Sequence, residues 1–103
     1  QYNLPVKVIL LNNQYLGMVH QWQELFFESH YASTGLTNHD FCKISEGFGV
    51  PARYITRRKE LEQALRELLE KEGPGVLEVE VAKEGNIFPM VPAGASVSDI
   101  RLE

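Results

Sequence analysis

Residues Val6 to Leu11 form a nearly continuous apolar run, β-branched at its centre, that stops at Asn12-Asn13. No other feature narrows the fold as much. A continuous apolar run, as opposed to alternation of apolar and polar residues, is the pattern of a strand covered on both faces, and such strands occur in parallel sheets. Parallel neighbours need crossover connections, so helices must follow, and the sequence supplies them.

From about Leu16 the apolar residues Met18, Trp22, Leu25 and Phe26 fall at i, i+4, i+7 and i+8, which predicts a helix ending near Ser29-His30. Residues 30–38 read as a surface loop. Asn38 is the expected N-cap of a short helix carrying Phe41, Ile44 and Phe48, stopped by Gly49 and Pro51. A short strand over 52–56 and a helix over 59–71 come next, the latter with the stripe Leu61, Ala64, Leu65, Leu68 and Leu69 and a favourable Glu62–Arg66 spacing. Gly73-Pro74-Gly75 ends that helix, and Leu77, Val79 and Val81 alternate with Glu78 and Glu80 as in a strand with one wetter face. The order β-α-α-β-α-β predicts an α/β fold, a partial three-layer sandwich on parallel strands with too few of them for a whole doubly wound sheet. Residues 82–103 have no period and are expected to run as an extended C-terminal segment over a neighbouring surface.

Composition excludes several classes of function. With 103 residues there is at most one domain. A net charge of −4 with no basic stripe argues against nucleic acid, because Arg57-Arg58-Lys59 sits among glutamates as the end of a solvated helix. No apolar run approaches the ~20 residues of a membrane span. The single cysteine, Cys42, rules out an internal disulfide and fits a reducing, cytoplasmic setting. Gln1-Tyr2-Asn3-Leu4-Pro5 leads directly into a buried strand, as in a piece of a longer polypeptide, and Leu102-Glu103 has the look of a cloning remnant.

The candidate chemistry sits where the first strand ends, the place at which open α/β sheets bind phosphate-bearing ligands. Asparagine offers an uncharged carbonyl oxygen, suited to a hard divalent cation that already has diphosphate and carboxylate oxygens around it. The main-chain carbonyl of Tyr15 adds a second oxygen, and Gly17 lets backbone approach a ligand. The competing reading is that Asn12-Asn13 is turn chemistry only, since Asn bonds its local backbone and tolerates the left-handed region. The other groups read as structural. His20, His30 and His39 are too widely spaced for a ligand motif, Cys42 lies in an apolar helical pattern, and Ser29-His30 is adjacency without triad geometry.

The longer run Leu11-Asn12-Asn13-Gln14-Tyr15-Leu16-Gly17-Met18-Val19-His20-Gln21-Trp22-Gln23-Glu24-Leu25-Phe26-Phe27-Glu28 closely resembles the thiamine diphosphate-binding domain of acetolactate synthase (acetohydroxyacid synthase) catalytic subunits. Tyr31 and Ser33, Asp40-Phe41, Gly73-Pro74 before Leu77 to Val81, and Pro89-Met90-Val91-Pro92 follow in the same order, so the resemblance covers essentially the whole chain. It implies the C-terminal part of that domain. Asn13 would ligate Mg2+ through its side chain and Tyr15 through its carbonyl. Gly17 and Met18 would lie against the diphosphate and aminopyrimidine of thiamine diphosphate, Trp22 would shape the pocket for the second 2-keto acid, and Ala93 would fold over the channel mouth.

The family also implies what this chain lacks: an upstream Gly-Asp-Gly with the second metal ligand, an activating glutamate from the partner subunit, and an FAD-binding middle domain. The isolated chain is therefore expected to be inactive. No residue here need act as acid, base or nucleophile, because the reactive carbon belongs to the cofactor. The whole enzyme would join two pyruvates, or pyruvate and 2-ketobutyrate, with decarboxylation in branched-chain amino acid synthesis. It would work as a homodimer or larger assembly, with or without a regulatory small subunit. The alternatives are a pyruvate oxidase or 2-keto acid decarboxylase, or a non-enzymatic binding or assembly module derived from such a domain.

Overall fold

The computed structural model describes residues 4–83 and 85–102. Strand β1 (Lys7–Asn12) leads to helix α1 (Gly17–Phe26), helix α2 (Phe41–Gly47), strand β2 (Ala52–Ile55), helix α3 (Leu61–Glu70) and strand β3 (Gly75–Glu80). The strands make one parallel sheet in the order β1-β3-β2, with Leu77 of β3 opposite Ile9 on one side and Arg53 on the other. This is the α/β order that the periodicities predict.

The core lies where α3 covers β2 and β3. Ile55, Ala64, Leu68 and Leu77 are buried, with Leu61, Leu65 and Val79 packed around them. Leu69, expected on the same stripe, is exposed at its margin. The helix starts later than the spacing predicts, because Arg58–Glu60 forms a separate 3-10 turn before it. Glu62 and Arg66 pair at 3.3 Å as their spacing requires. Both side chains are well exposed, so the pair is worth only a few tenths of a kcal/mol, about 0.3–0.5.

Three expectations are corrected. β1 is not covered on both faces: it is an edge strand, and Val8, Ile9 and Leu11 are each exposed by more than two-fifths. Its long apolar run lacks a cover because α1 makes no substantial packing with the sheet. Second, α1 ends at Phe26, ahead of the predicted Ser29-His30, since Glu28 and Ser29 take positive φ values of 51° and 59°. Third, the N-cap of α2 is Asp40, whose Oδ1 accepts from the Lys43 N–H at 2.9 Å. Asn38 is occupied elsewhere, donating from Nδ2 to Asn12 Oδ1 at 2.7 Å.

The Cα radius of gyration is 17.7 Å, against about 13 Å for a compact chain of this length. The difference comes from α1 and residues 82–102, which stand beside the sheet and not on it. Among its described residues that segment has no strand; it carries a turn at Ala93, a 3-10 turn at Val97–Asp99 and a bridge between Met90 and Arg101. The lead-in at Gln1–Asn3 and the terminal Glu103 lie outside the described residues.

Candidate functional site

Where β1 ends, the two asparagines fold the chain back on itself. Asn12 Oδ1 accepts from the Gln14 N–H at 3.0 Å, and Asn13 Oδ1 accepts from the Tyr15 N–H at 3.1 Å, two successive Asx turns. Gln14 takes a φ of 60° between them. The turn is then pinned to the following loop by Leu16 N–H to Thr34 C=O at 2.9 Å and Leu36 N–H to Gln14 C=O at 2.8 Å. Thr34 is buried, which explains why a loop read as surface has a fixed position. The Tyr15 ring meets His20 edge-on at 4.7 Å, and His20 stacks on Tyr31 at 4.3 Å.

The turn chemistry is thus present, and it leaves oxygens that could take a ligand. A carbonyl oxygen has two lone pairs, and the Asx bond uses one on Asn13. The Tyr15 carbonyl accepts no hydrogen bond from the described residues. Helix α1 begins with no side-chain cap, so its first N–H groups are free to face an anion. A Cβ at Gly17 would stand 3.1 Å from Asn13 Nδ2, so a side chain there would crowd the asparagine. These features fit a diphosphate bridged to a cation. Among the described residues, no group of three or more His, Cys, Asp or Glu is placed to hold a metal by itself.

Along α1, Met18 and Trp22 line an open apolar groove of about 340 Å3 with Val19, Gln23 and Phe27. Met18 is 72% exposed. Trp22 is half-buried against Phe26 at 5.4 Å. Ala93 lies in a turn of the C-terminal segment and is not among the residues lining this groove.

Two buried polar residues escape sequence reasoning. Gln21 is 5% exposed and clasps the C-terminal segment through a two-way amide pair, Nε2 to Ile87 C=O at 2.9 Å and Ile87 N–H to Oε1 at 3.1 Å. Asn86 to Glu24 at 3.1 Å and Arg101 over the Phe26 ring at 5.0 Å extend the same contact. Gln21→Leu would remove both bonds to the Ile87 backbone, which is exposed enough to be hydrated, so the local cost is about 0.5–1.5 kcal/mol per bond. Faster hydrogen exchange at the Ile87 amide and earlier proteolytic cutting within 82–102 are the expected results; unchanged protection would remove Gln21 as the clasp.

The second is Glu78. Alternation placed it on the wetter face of β3, but α2 packs over that face and leaves Glu78 6% exposed, while Glu80 reaches solvent. Glu78 borders a cleft of about 610 Å3 with Asn12, Asn38, Asp40, Cys42 and Tyr54. Burial, and then the Glu78 charge, push the Cys42 thiol above its ordinary value, which keeps it protonated and poorly nucleophilic. The Tyr54 hydroxyl, bonded to the Glu80 carboxylate, is pushed up to about 12.

A family model described as thiamine pyrophosphate enzyme, C-terminal TPP binding domain, matches residues 1–79. The chain belongs to that family. It is 46% identical over 98 residues to the acetolactate synthase isozyme 2 large subunit of Escherichia coli, covering 94% of this chain and 18% of that protein. It is 39% identical to acetolactate synthase 1 of Oryza sativa, a chloroplastic protein, over 98% of this chain and 17% of the relative. The mitochondrial acetolactate synthase of Schizosaccharomyces pombe is 38% identical over 94% of this chain and 14% of its own length. The chain thus spans less than a fifth of each of these relatives. Among solved structures, a thiamine diphosphate-dependent 4-hydroxybenzoylformate decarboxylase from Rhodococcus jostii superposes with a TM-score of 0.72 at 24% identity, over 80% of this chain and 16% of that one. At that identity the likeness speaks for the fold.

Proposed function

We propose that this chain is the C-terminal part of the cofactor-binding domain of an acetolactate synthase catalytic subunit, with residues 82–103 as its extended C-terminal segment. The reading is carried by the Asn13–Gly17 turn: two neutral oxygens, an uncapped helix end and a glycine held against the asparagine are part of what a metal-bound diphosphate needs. Identity of 38–46% to acetolactate synthases over nearly the whole chain supports the choice among thiamine enzymes.

In this reading Asn13 Oδ1 and the Tyr15 carbonyl hold Mg2+, the Gly17 and Met18 backbone faces the diphosphate, and Met18 touches the aminopyrimidine. Trp22 shapes the pocket for the second 2-keto acid. Two neutral ligands leave the cation short of charge, so a carboxylate must come from outside the described residues. The bound cofactor supplies the nucleophilic carbon; the residues of this chain bind, orient and exclude water. FAD is assigned to no residue here. The exposed faces of β1 and α2 would be covered by the rest of the catalytic subunit, within a homodimer or larger assembly, with or without a regulatory small subunit. The single cysteine supports a reducing compartment, the cytoplasm, as the location in this reading.

The test is turnover. The full-length enzyme should form acetolactate from pyruvate only with thiamine diphosphate and Mg2+; cofactor-dependent release of acetaldehyde without condensation would favour a 2-keto acid decarboxylase, and cofactor-independent behaviour a non-enzymatic module. Trp22→Leu should shift the choice between pyruvate and 2-ketobutyrate as second substrate. Identical selectivity would return Trp22 to a packing role.

A further inference from the structure

Glu78 is a buried carboxylate without an ion-pair partner among the described residues, and what it does contact is the metal-facing turn. Its Oε1 accepts from Asn12 Nδ2 at 2.7 Å. The other end of the same amide, Oδ1, accepts from Asn38 Nδ2 at 2.7 Å and from the Gln14 N–H at 3.0 Å. Asn12 is thus held in a single orientation: were it flipped, its NH2 would face two donors and its oxygen would face a carboxylate. The orientation that Glu78 selects is the one that closes the Asx turn onto Gln14, whose φ of 60° is costly for a residue with a side chain.

We propose that Glu78 is a positioning residue: through the Asn12 amide it locks the turn at Gln14 and so sets where Asn13 Oδ1 and the Tyr15 carbonyl are presented. The inference rests on the assignment of those two oxygens to Mg2+. It gives the central strand of the sheet a role in the site at its edge. Glu78 acts on the turn through Asn12, while its other oxygen, Oε2, accepts from the Cys42 thiol at 3.9 Å.

The experiment is a reciprocal swap in the full-length enzyme. Asn12→Asp alone sets a second carboxylate against Glu78, and it should raise the Mg2+ concentration for half-maximal cofactor retention by about tenfold or more. Glu78→Gln alone keeps an acceptor for Asn12 Nδ2 and should change little. Combining Asn12→Asp with Glu78→Gln restores one donor between the two side chains and keeps an oxygen for Gln14 and Asn38, so Mg2+ half-saturation should return near the parent value with kcat at saturating Mg2+ maintained. In the metal-free protein, hydrogen exchange at the Gln14 amide, measured against the Leu77 amide of the core, should speed up in Asn12→Asp and recover in the double variant. A merely structural role would move both amides together. Failure of the double variant to recover Gln14 protection overturns the role of Glu78; an unchanged Mg2+ requirement in Asn13→Ala overturns the metal assignment, whatever Glu78 does to the turn.

Discussion

Replacing Leu77 by alanine is expected to lower stability by about 2–5 kcal/mol, a large share of what a domain of this size possesses. Leu77 is 1% exposed on the central strand, the largest fully buried side chain among the described residues, where the core cluster holds three other buried residues, Ile55, Ala64 and Leu68. A core this small has few side chains that can shift to fill the lost volume, which pushes the cost toward the upper part of the range. Gly75 already brings its backbone so close to Leu68 that an added Cβ would stand 2.8 Å from Leu68 Cδ1, so that side of the core is tightly filled. Urea denaturation should show the midpoint falling at an unchanged slope. A loss below about 1 kcal/mol, the size of an Ile→Val change, would mean that the α3–sheet contact is not the stabilising core.

That core was legible in the sequence because it depends on period alone. Leu61, Ala64, Leu65 and Leu68 recur at helical spacing, and Leu77 and Val79 alternate beside them. Element order and parallel pairing followed from the same patterns. The cover over β1 was not legible: a run such as Val6–Leu11 records that a strand is made for burial on both faces but not which segment buries it, and in this chain those faces remain open. The buried polar residues were hidden for a different reason. Glu78 read as solvent-facing by alternation and Gln21 had no assigned role, and each is buried only because a segment distant in sequence crosses it, Ile87 for Gln21 and α2 with Asn12 for Glu78. Asn12-Asn13 shows how the two kinds of signal meet. Composition offered turn or ligand as rivals; the geometry shows the turn, and the proposed metal site would use that turn to present its oxygens.

The largest functional effect is therefore expected at Asn13 itself. Asn13→Ala removes the acceptor for the Tyr15 N–H and, in the proposed site, a side-chain oxygen from the metal, so one substitution would withdraw one ligand and loosen the second. Losing an outer partner of a metal ligand costs roughly 10–100-fold in affinity, and losing the ligand together with the turn that orients its neighbour should exceed that. Dialysis of the full-length enzyme at fixed Mg2+, followed by assay of retained thiamine diphosphate, measures it without relying on turnover. Asn13→Asp separates the two roles, because a carboxylate keeps both the acceptor and the oxygen ligand, and adds charge for the cation. It should retain Mg2+ far better than alanine, while its extra negative charge opposes the diphosphate that shares the site. The predicted order of cofactor retention is thus asparagine above aspartate above alanine. If alanine retained the cofactor as well as asparagine does, the oxygen at position 13 would be holding the Tyr15 turn and nothing more.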